Sequence, residues 1–212
     1  MKNVDDLIEG ARELSERGFS KGEIADELNV SRETASWLVQ RSDTAATTSQ
    51  EAEPPSGPHD IHVDWSALGR DSARLAYAGM AMADLLSKQG EAVDLTVGIE
   101  KAGAPLATVV ARELDTDIAA YAPRKHQWEE GDIEDLQGSF SQNFADIRDR
   151  ECYVVDDTIT SGTTMRETIE GINERGGTPV ACVVLVDKHG TEEIAGVPVY
   201  SLIQAIRVGN AE

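Results

Sequence analysis

The fold class that this sequence predicts is a doubly wound, parallel α/β sheet with a small all-α unit ahead of it. Three observations carry that expectation. Between Val93 and Ser201, short runs rich in β-formers alternate with stretches of helical period, as strands and crossover helices do in parallel sheets. One such run, Tyr153-Val154-Val155, ends on Asp156-Asp157 and a small-residue turn before a helical pattern begins. Ahead of all this, residues 1–42 show three short helical patterns and no strand.

Taken in order, Val4 to Arg17 is helical by period, with Leu7, Ile8, Ala11 and Leu14 on one face, and Gly18 ends it. Ser20-Lys-Gly-Glu23 has the spacing of a capping box and opens a second helix with Ile24, Ala25 and Leu28 inward. Asn29-Val30 makes the turn. Ser31 caps a third helix running from Arg32 to about Arg41, with Ala35, Leu38 and Val39 buried. Two short helices joined by a tight turn form a helix-turn-helix, whose last helix enters the major groove of DNA. The residues expected to face DNA are Ser31, Arg32, Glu33, Thr34, Ser36, Trp37 and Gln40. Arg32 is suited to guanine, while Thr34 and Ser36 suit bases or phosphates. A three-helix dimerisation module has the same pattern. Residues 1–41 carry six bases and nine acids, net −3, the exception being Ser31 to Arg41 with Arg32 and Arg41 against Glu33 alone; in molar salt, counterion release would contribute little to DNA affinity.

Residues 43–59 are Thr, Ala, Ser, Glu and Pro without apolar period and read as a flexible linker. The α/β domain is expected over 60–212. Leu68 to Lys88 reads as one helix with Leu75, Met82, Leu85 and Leu86 inward, Val93 to Ile99 as a strand, and Ala104 to Leu114 as a helix. Further strands are expected at Ile118–Ala122, Tyr153–Val155, Pro179–Val186 and Val197–Ser201. Between the Tyr153–Val155 and Pro179–Val186 runs, Met165, Ile169 and Ile172 recur at helical spacing up to Gly176-Gly177.

The turn after Val155 suggests a phosphate cradle. Its backbone N–H groups converge with the positive end of the following helix, Gly162 allows close approach, and Thr160, Ser161, Thr163 and Thr164 add hydroxyls. Asp156 and Asp157 stand where they can hold a sugar diol or a Mg²⁺-bound pyrophosphate. A capped turn behind a solvated strand end has the same residues.

The net charge is −20, with 39 acids against 19 bases. Acids spread along the whole chain suit a surface solvated by carboxylates in a cytoplasm of molar salt, where repulsion is screened. That charge argues against membrane binding, and neither an apolar span of membrane length nor a signal peptide is evident. Cys152 and Cys182 fall in expected core strands and read as reduced thiols. His59, His62, His126 and His189 show no metal-ligand spacing.

Val154-Val155-Asp156-Asp157-Thr158-Ile159-Thr160-Ser161-Gly162-Thr163-Thr164 resembles the phosphoribosyl-pyrophosphate (PRPP) motif of the type I phosphoribosyltransferases. That resemblance implies that Asp156 and Asp157 take the ribose hydroxyls, that Thr158 and Thr160 to Thr164 surround the 5′-phosphate, and that Mg²⁺ comes bound to PRPP. Gly98-Ile-Glu-Lys-Ala-Gly-Ala-Pro-Leu-Ala107 is similar to the pyrophosphate loop of the same family, most of all in xanthine phosphoribosyltransferases and the PRPP-responsive purine repressor of Gram-positive bacteria. It implies roles for Lys101, Ala102 and Gly103, although orotate enzymes place their lysine one position later, where this chain has Ala102. Arg124 and Lys125 resemble the basic pair that grips pyrophosphate, and Trp128 to Asp149 resembles the hood over the site. Orotate enzymes carry a further lysine and histidine there, where this chain has Trp128 and Glu130. Val186-Asp187-Lys188 stands in place of an aspartate–arginine pair that helps hold the base, and the Ser-Gly-rich opening motif is not evident between Asp60 and Arg74.

Gly18 to Trp37 resembles the helix-turn-helix of many prokaryotic regulators. The whole chain is similar to the haloarchaeal regulators of sugar catabolism of the GfcR type, which join a helix-turn-helix to an orotate-phosphoribosyltransferase-like domain. The resemblance implies a cytoplasmic, homodimeric DNA-binding regulator that senses PRPP or a related sugar phosphate. An active orotate or purine phosphoribosyltransferase is the alternative.

Overall fold

A computed structural model describes residues 4–45, 60–90, 93–123 and 138–206. Contacts divide the chain into two compact units, one ending at Trp65 and the other starting at Ser66.

The first unit contains α1 (Val4–Glu16), α2 (Lys21–Glu27) and α3 (Arg32–Ala45). Its core is Leu7, Ala11, Ile24, Ala25, Leu28, Val30, Ala35 and Leu38, with Ile8 and Leu14 packed against it. The capping box forms as its spacing requires. Ser20 Oγ accepts the Glu23 N–H at 3.3 Å, and the Glu23 carboxylate accepts the Ser20 N–H at 2.9 Å. Gly18 and Asn29 adopt left-handed backbone (φ +86° and +51°), which lets the chain reverse after α1 and after α2. α3 runs past its expected end near Arg41. Ser42 is buried, and its hydroxyl donates to the Val39 carbonyl at 2.6 Å, so a polar residue continues the helix. Residues 46–59 of the expected linker lie outside the described residues.

The second unit contains α4 (Ser66–Gly69), α5 (Ser72–Ser87), β1 (Leu95–Ile99), α6 (Gly103–Leu114), β2 (Asp117–Ala122), β3 (Ser139–Phe140), β4 (Glu151–Ile159), α7 (Thr163–Glu174), β5 (Thr178–Asp187), β6 (Glu193–Ile194) and β7 (Val197–Gln204). The helix expected over Leu68–Lys88 is broken before Ser72. Asp71 has extended backbone and its carboxylate accepts the Arg74 N–H at 2.9 Å, an N-cap that starts α5 afresh. Of the core expected there, Met82 and Leu86 are buried and Leu75 and Leu85 only partly so, while Ala78, Gly79 and Ala83 complete the buried stripe.

The strands lie in the order β3-β2-β1-β4-β5-β7-β6. Pairing is parallel from β2 through β1, β4 and β5 to β7, and antiparallel only at the two-residue edge strands β3 and β6, which are too short for a sequence pattern. The chain moves from β1 to β2 in one direction and from β4 to β5 in the other. Right-handed crossovers then place α6 and α7 on opposite faces. Met165, Ile169 and Ile172 of α7 accordingly share one core cluster with Val97, Val154, Cys182 and Val184 of the strands. Cys152 and Cys182 are buried free thiols. Burial pushes the Cys152 pKa up to about 12 and that of Cys182 higher still, so both stay protonated and unreactive at neutral pH. Among the described residues, no helix is long and apolar enough to cross a membrane.

Candidate functional site

The two glycine-containing loops singled out in the sequence leave neighbouring strands. β1 and β4 pair directly, Gly98 opposite Val155, and the direction of winding reverses between them. A doubly wound sheet binds ligands in the crevice beyond such a switch point, at the carboxyl ends of the strands. Sequence separation hides this adjacency, since the paired residues Gly98 and Val155 are 57 positions apart; the sheet supplies it.

β4 is longer than expected. It continues through both acids to Ile159, because β5 is long enough to pair with it up to Ile159–Asp187. Asp156, Asp157 and Thr158 therefore belong to the strand, and the turn is shortened to Thr160, Ser161 and Gly162. Cys152, Val154 and Ile159 share the α7-side core, although Ile159 is an odd number of residues from the other two. The strict alternation of a strand thus breaks in the segment that carries the acids. All three of Asp156, Asp157 and Thr158 are half-buried. The Asp156 carboxylate accepts the Asp157 N–H at 2.9 Å, and the Thr158 hydroxyl donates to Asp157 at 3.1 Å. Gly162 is left-handed (φ +73°) and offers no side chain to cap α7. The first helical amide, Thr163 N–H, has only a long 3.5 Å contact with Ser161 Oγ. Ser161 and Thr163 are exposed, with their hydroxyls 3.0 Å apart; Thr160 and Thr164 are half-buried beside them. This is a loop of donors at the positive end of a helix, beside two carboxylates.

The second loop packs against the strand end that leads to the first. After β1 the peptide bond between Glu100 and Lys101 is cis. Lys101 is exposed, Ala102 precedes α6, and Gly103 is its first residue and is buried. A methyl carbon built on Gly103 would stand 2.6 Å from the Val155 carbonyl oxygen and 2.9 Å from Asp156 Oδ1. Gly103 is thus the point where α6 touches the backbone of β4, and only a residue without a side chain fits. Its role extends beyond presenting amides: it brings the amino end of α6 against the first acid.

Other expectations fare differently. Arg124, Lys125, Trp128 and Glu130 lie outside the described residues. Asp187 is 2% exposed and engaged by its own loop. Its carboxylate accepts the N–H groups of His189 at 2.8 Å, Gly190 at 3.1 Å and Thr191 at 2.7 Å. It ties down the turn after β5 and is not presented to a base. The Asp-Lys-His-Gly run was a readable signal for such a turn. Less readable was the contact of Tyr121 with α7, where the phenol donates to Glu167 at 3.0 Å. Gly138 packs over that pair, since a methyl carbon there would lie 2.1 Å from the Tyr121 oxygen. Phe140 then packs against Tyr121 with the rings tilted by 57° and their centroids 4.8 Å apart. Among the described residues, no group of three or more His, Cys, Asp or Glu side chains converges to hold a metal ion directly.

In the helical unit, Arg32, Glu33 and Gln40 of α3 are exposed, and Ser36 is half-exposed. Thr34 is not available to DNA: it is 8% exposed, its hydroxyl is 2.8 Å from Ser31 Oγ, and its N–H donates to that oxygen at 3.1 Å. One helical turn after the cap, its side chain faces inward with Leu38, four residues on. Ser31 is correspondingly occupied as a cap. Trp37 packs partly against the helical core, and the Arg41 guanidinium lies over its ring at 5.3 Å. This stacking holds the charge of Arg41 on the helix.

Residues 64–207 match the family model described as phosphoribosyl transferase domain. A protein named Transcriptional regulator GfcR from Haloquadratum walsbyi is 72% identical over 209 residues, covering 98% of this chain and 95% of its own. One of the same name from Halobacterium salinarum is 60% identical over 212 residues and the full length of both chains. Among solved structures, an adenine phosphoribosyltransferase from Thermoanaerobacter pseudethanolicus overlays with a TM-score of 0.56 at 18% identity, covering 71% of this chain and 90% of its own. The orotate phosphoribosyltransferase from Mycobacterium tuberculosis in complex with inorganic phosphate gives a TM-score of 0.53 at 20% identity, covering 69% and 81%. At such identities these two establish the fold alone.

Proposed function

The chain belongs to the GfcR family of transcriptional regulators and carries a phosphoribosyl transferase domain, and from that membership we propose that its α/β unit senses PRPP or a related sugar phosphate to regulate DNA binding by α3. The observation that carries this reading is the contact of Gly103 with Val155 and Asp156, which sets the Lys101–Gly103 loop against the strand end that carries the acids. Asp156 and Asp157 suit the ribose hydroxyls, the Thr160–Thr164 turn the 5′-phosphate, and the Lys101–Gly103 loop the pyrophosphate. With PRPP, Mg²⁺ would arrive on the pyrophosphate and neutralise its charge, and the half-buried acid pair fits an indirect role toward it. The target genes are those of central sugar catabolism, and the protein works in the cytoplasm where its DNA lies. A homodimer would present two α3 helices to a near-palindromic operator.

The test is footprinting on the duplexes that the protein enriches from a random pool in molar KCl. PRPP is expected to shift the affinity of the wild type and not that of Asp157→Asn. Arg32→Ala should weaken binding by about 1–3 kcal/mol and relax the preference at one base position per half-site. Equal PRPP shifts in wild type and Asp157→Asn would overturn the sensor reading.

The completeness of the pyrophosphate loop favours one other reading, a working phosphoribosyltransferase. Against it stand the engaged Asp187 carboxylate and a hood sequence with Glu129, Glu130 and Asp132, whose charge opposes closure over pyrophosphate. Incubation with PRPP and orotate or each purine base is expected to release no pyrophosphate from orotate and at most traces with purines. Turnover near the typical enzyme value of ~10 per second would establish the enzyme instead.

A further inference from the structure

The segment just before the α/β unit is built into the helix-turn-helix. The Asp60 carboxylate accepts the backbone N–H of Ser31, 29 residues earlier and immediately ahead of α3, and its other oxygen accepts the Ile61 N–H at 2.7 Å. His62 Nδ1–H donates to the carbonyl of Leu28, 34 residues earlier and the C-cap of α2, at 2.6 Å. These two contacts grip the turn Asn29–Val30 from both sides. One holds the end of α2 and the other the start of α3. Ile61, Val63 and Trp65 are each partly buried along the same stretch.

We propose that Asp60–Trp65 is a strap that sets the angle between α2 and α3, making Asp60 and His62 positioning residues for DNA recognition. A helix-turn-helix reads bases only if its last helix enters the groove at the right angle, and that angle is decided in the turn. Asp60 acts there in two ways. It satisfies a backbone donor at the start of α3, and it puts a negative charge at the positive end of that helix. The strap belongs to the same compact unit as the three helices, which reaches to Trp65.

The consequence for DNA rests on the reading of α3 as the DNA-binding helix; the strap itself does not. The experiment therefore has two arms on the full chain. In the first, a protease site placed within residues 46–59 is cut in molar KCl. The fragments are expected to co-elute from gel filtration, and to separate when Asp60→Ala and His62→Ala are combined. Separation without those substitutions, or co-elution with them, overturns the strap. In the second arm, affinity is measured for duplexes enriched by the wild type. Asp60→Ala is expected to lose at least tenfold, while Asp60→Asn, which keeps a carbonyl to accept the Ser31 N–H, stays within a few-fold. Unchanged affinity in Asp60→Ala overturns the positioning role, as does an Asn variant as weak as the Ala one. If the wild type enriches no duplex, the DNA reading fails, and the cleavage arm still decides the strap.

Discussion

Replacing Asp156 and Asp157 together with asparagine is expected to abolish detectable PRPP binding and to leave the sheet folded. The two acids sit at the carboxyl end of β4, half-buried and next to the switch point of the sheet. A hydrogen bond to a charged group contributes about 1.5–3 kcal/mol. Each asparagine keeps one carbonyl acceptor but loses the charge and the second oxygen, and turning two charged hydrogen bonds to the ribose diol into neutral ones costs about 2–3 kcal/mol, or roughly two orders of magnitude in affinity. The fold has little reason to suffer. The carbonyl of asparagine at position 156 still accepts the Asp157 N–H that the carboxylate now holds at 2.9 Å. Two adjacent negative charges also disappear from a chain whose net charge is −20, which removes repulsion. Titration calorimetry with PRPP and Mg²⁺ in molar KCl measures the loss, and thermal unfolding checks the fold. Wild-type affinity in the double variant would remove these residues from the site.

Gly103→Ala carries the second large effect, and it joins stability to binding. The added methyl meets the Val155 carbonyl oxygen at 2.6 Å and the Asp156 Cα at 2.8 Å, both on the backbone of a central strand that cannot give way cheaply. The crowding is expected to cost about 1–3 kcal/mol, a fall in Tm of roughly 2–12 °C. Relief comes by moving the amino end of α6 away from β4, which opens the cradle, so PRPP affinity falls at least tenfold at temperatures where the variant is folded. Gly79→Ala is the comparison, because its methyl would meet Val109 at 2.6 Å farther along α6, away from both loops. It should lower Tm by a similar amount and leave PRPP affinity within a few-fold. Equal binding losses in the two variants would show that α6 tilts as a whole and that Gly103 has no local role.

Patterns confined to one stretch of chain were legible in the residues. The alternation of strands and helices, the capping box at Ser20 and Glu23, the stop at Gly18 and the strand–turn–helix around Gly162 all follow from interactions within a few residues, which sequence spacing records. The same holds for the Met165, Ile169 and Ile172 stripe, since a helix face is a local period. Where the expectations failed, partners distant in sequence decided. β4 extends through Asp156 and Asp157 because β5 runs long enough beside it. Thr34, expected to be presented on the outer face of α3, is turned inward because α1 and α2 form a core on that side of the helix. Asp60 is taken up by Ser31, 29 residues away, whereas Asp187 is held by its own turn, two to four residues on, a local signal that the sequence already carries. A carboxylate has the same identity in the sequence whether it faces a ligand or a backbone amide. Which of these it meets depends on geometry, and that geometry exists only once the strands are paired and the helices packed.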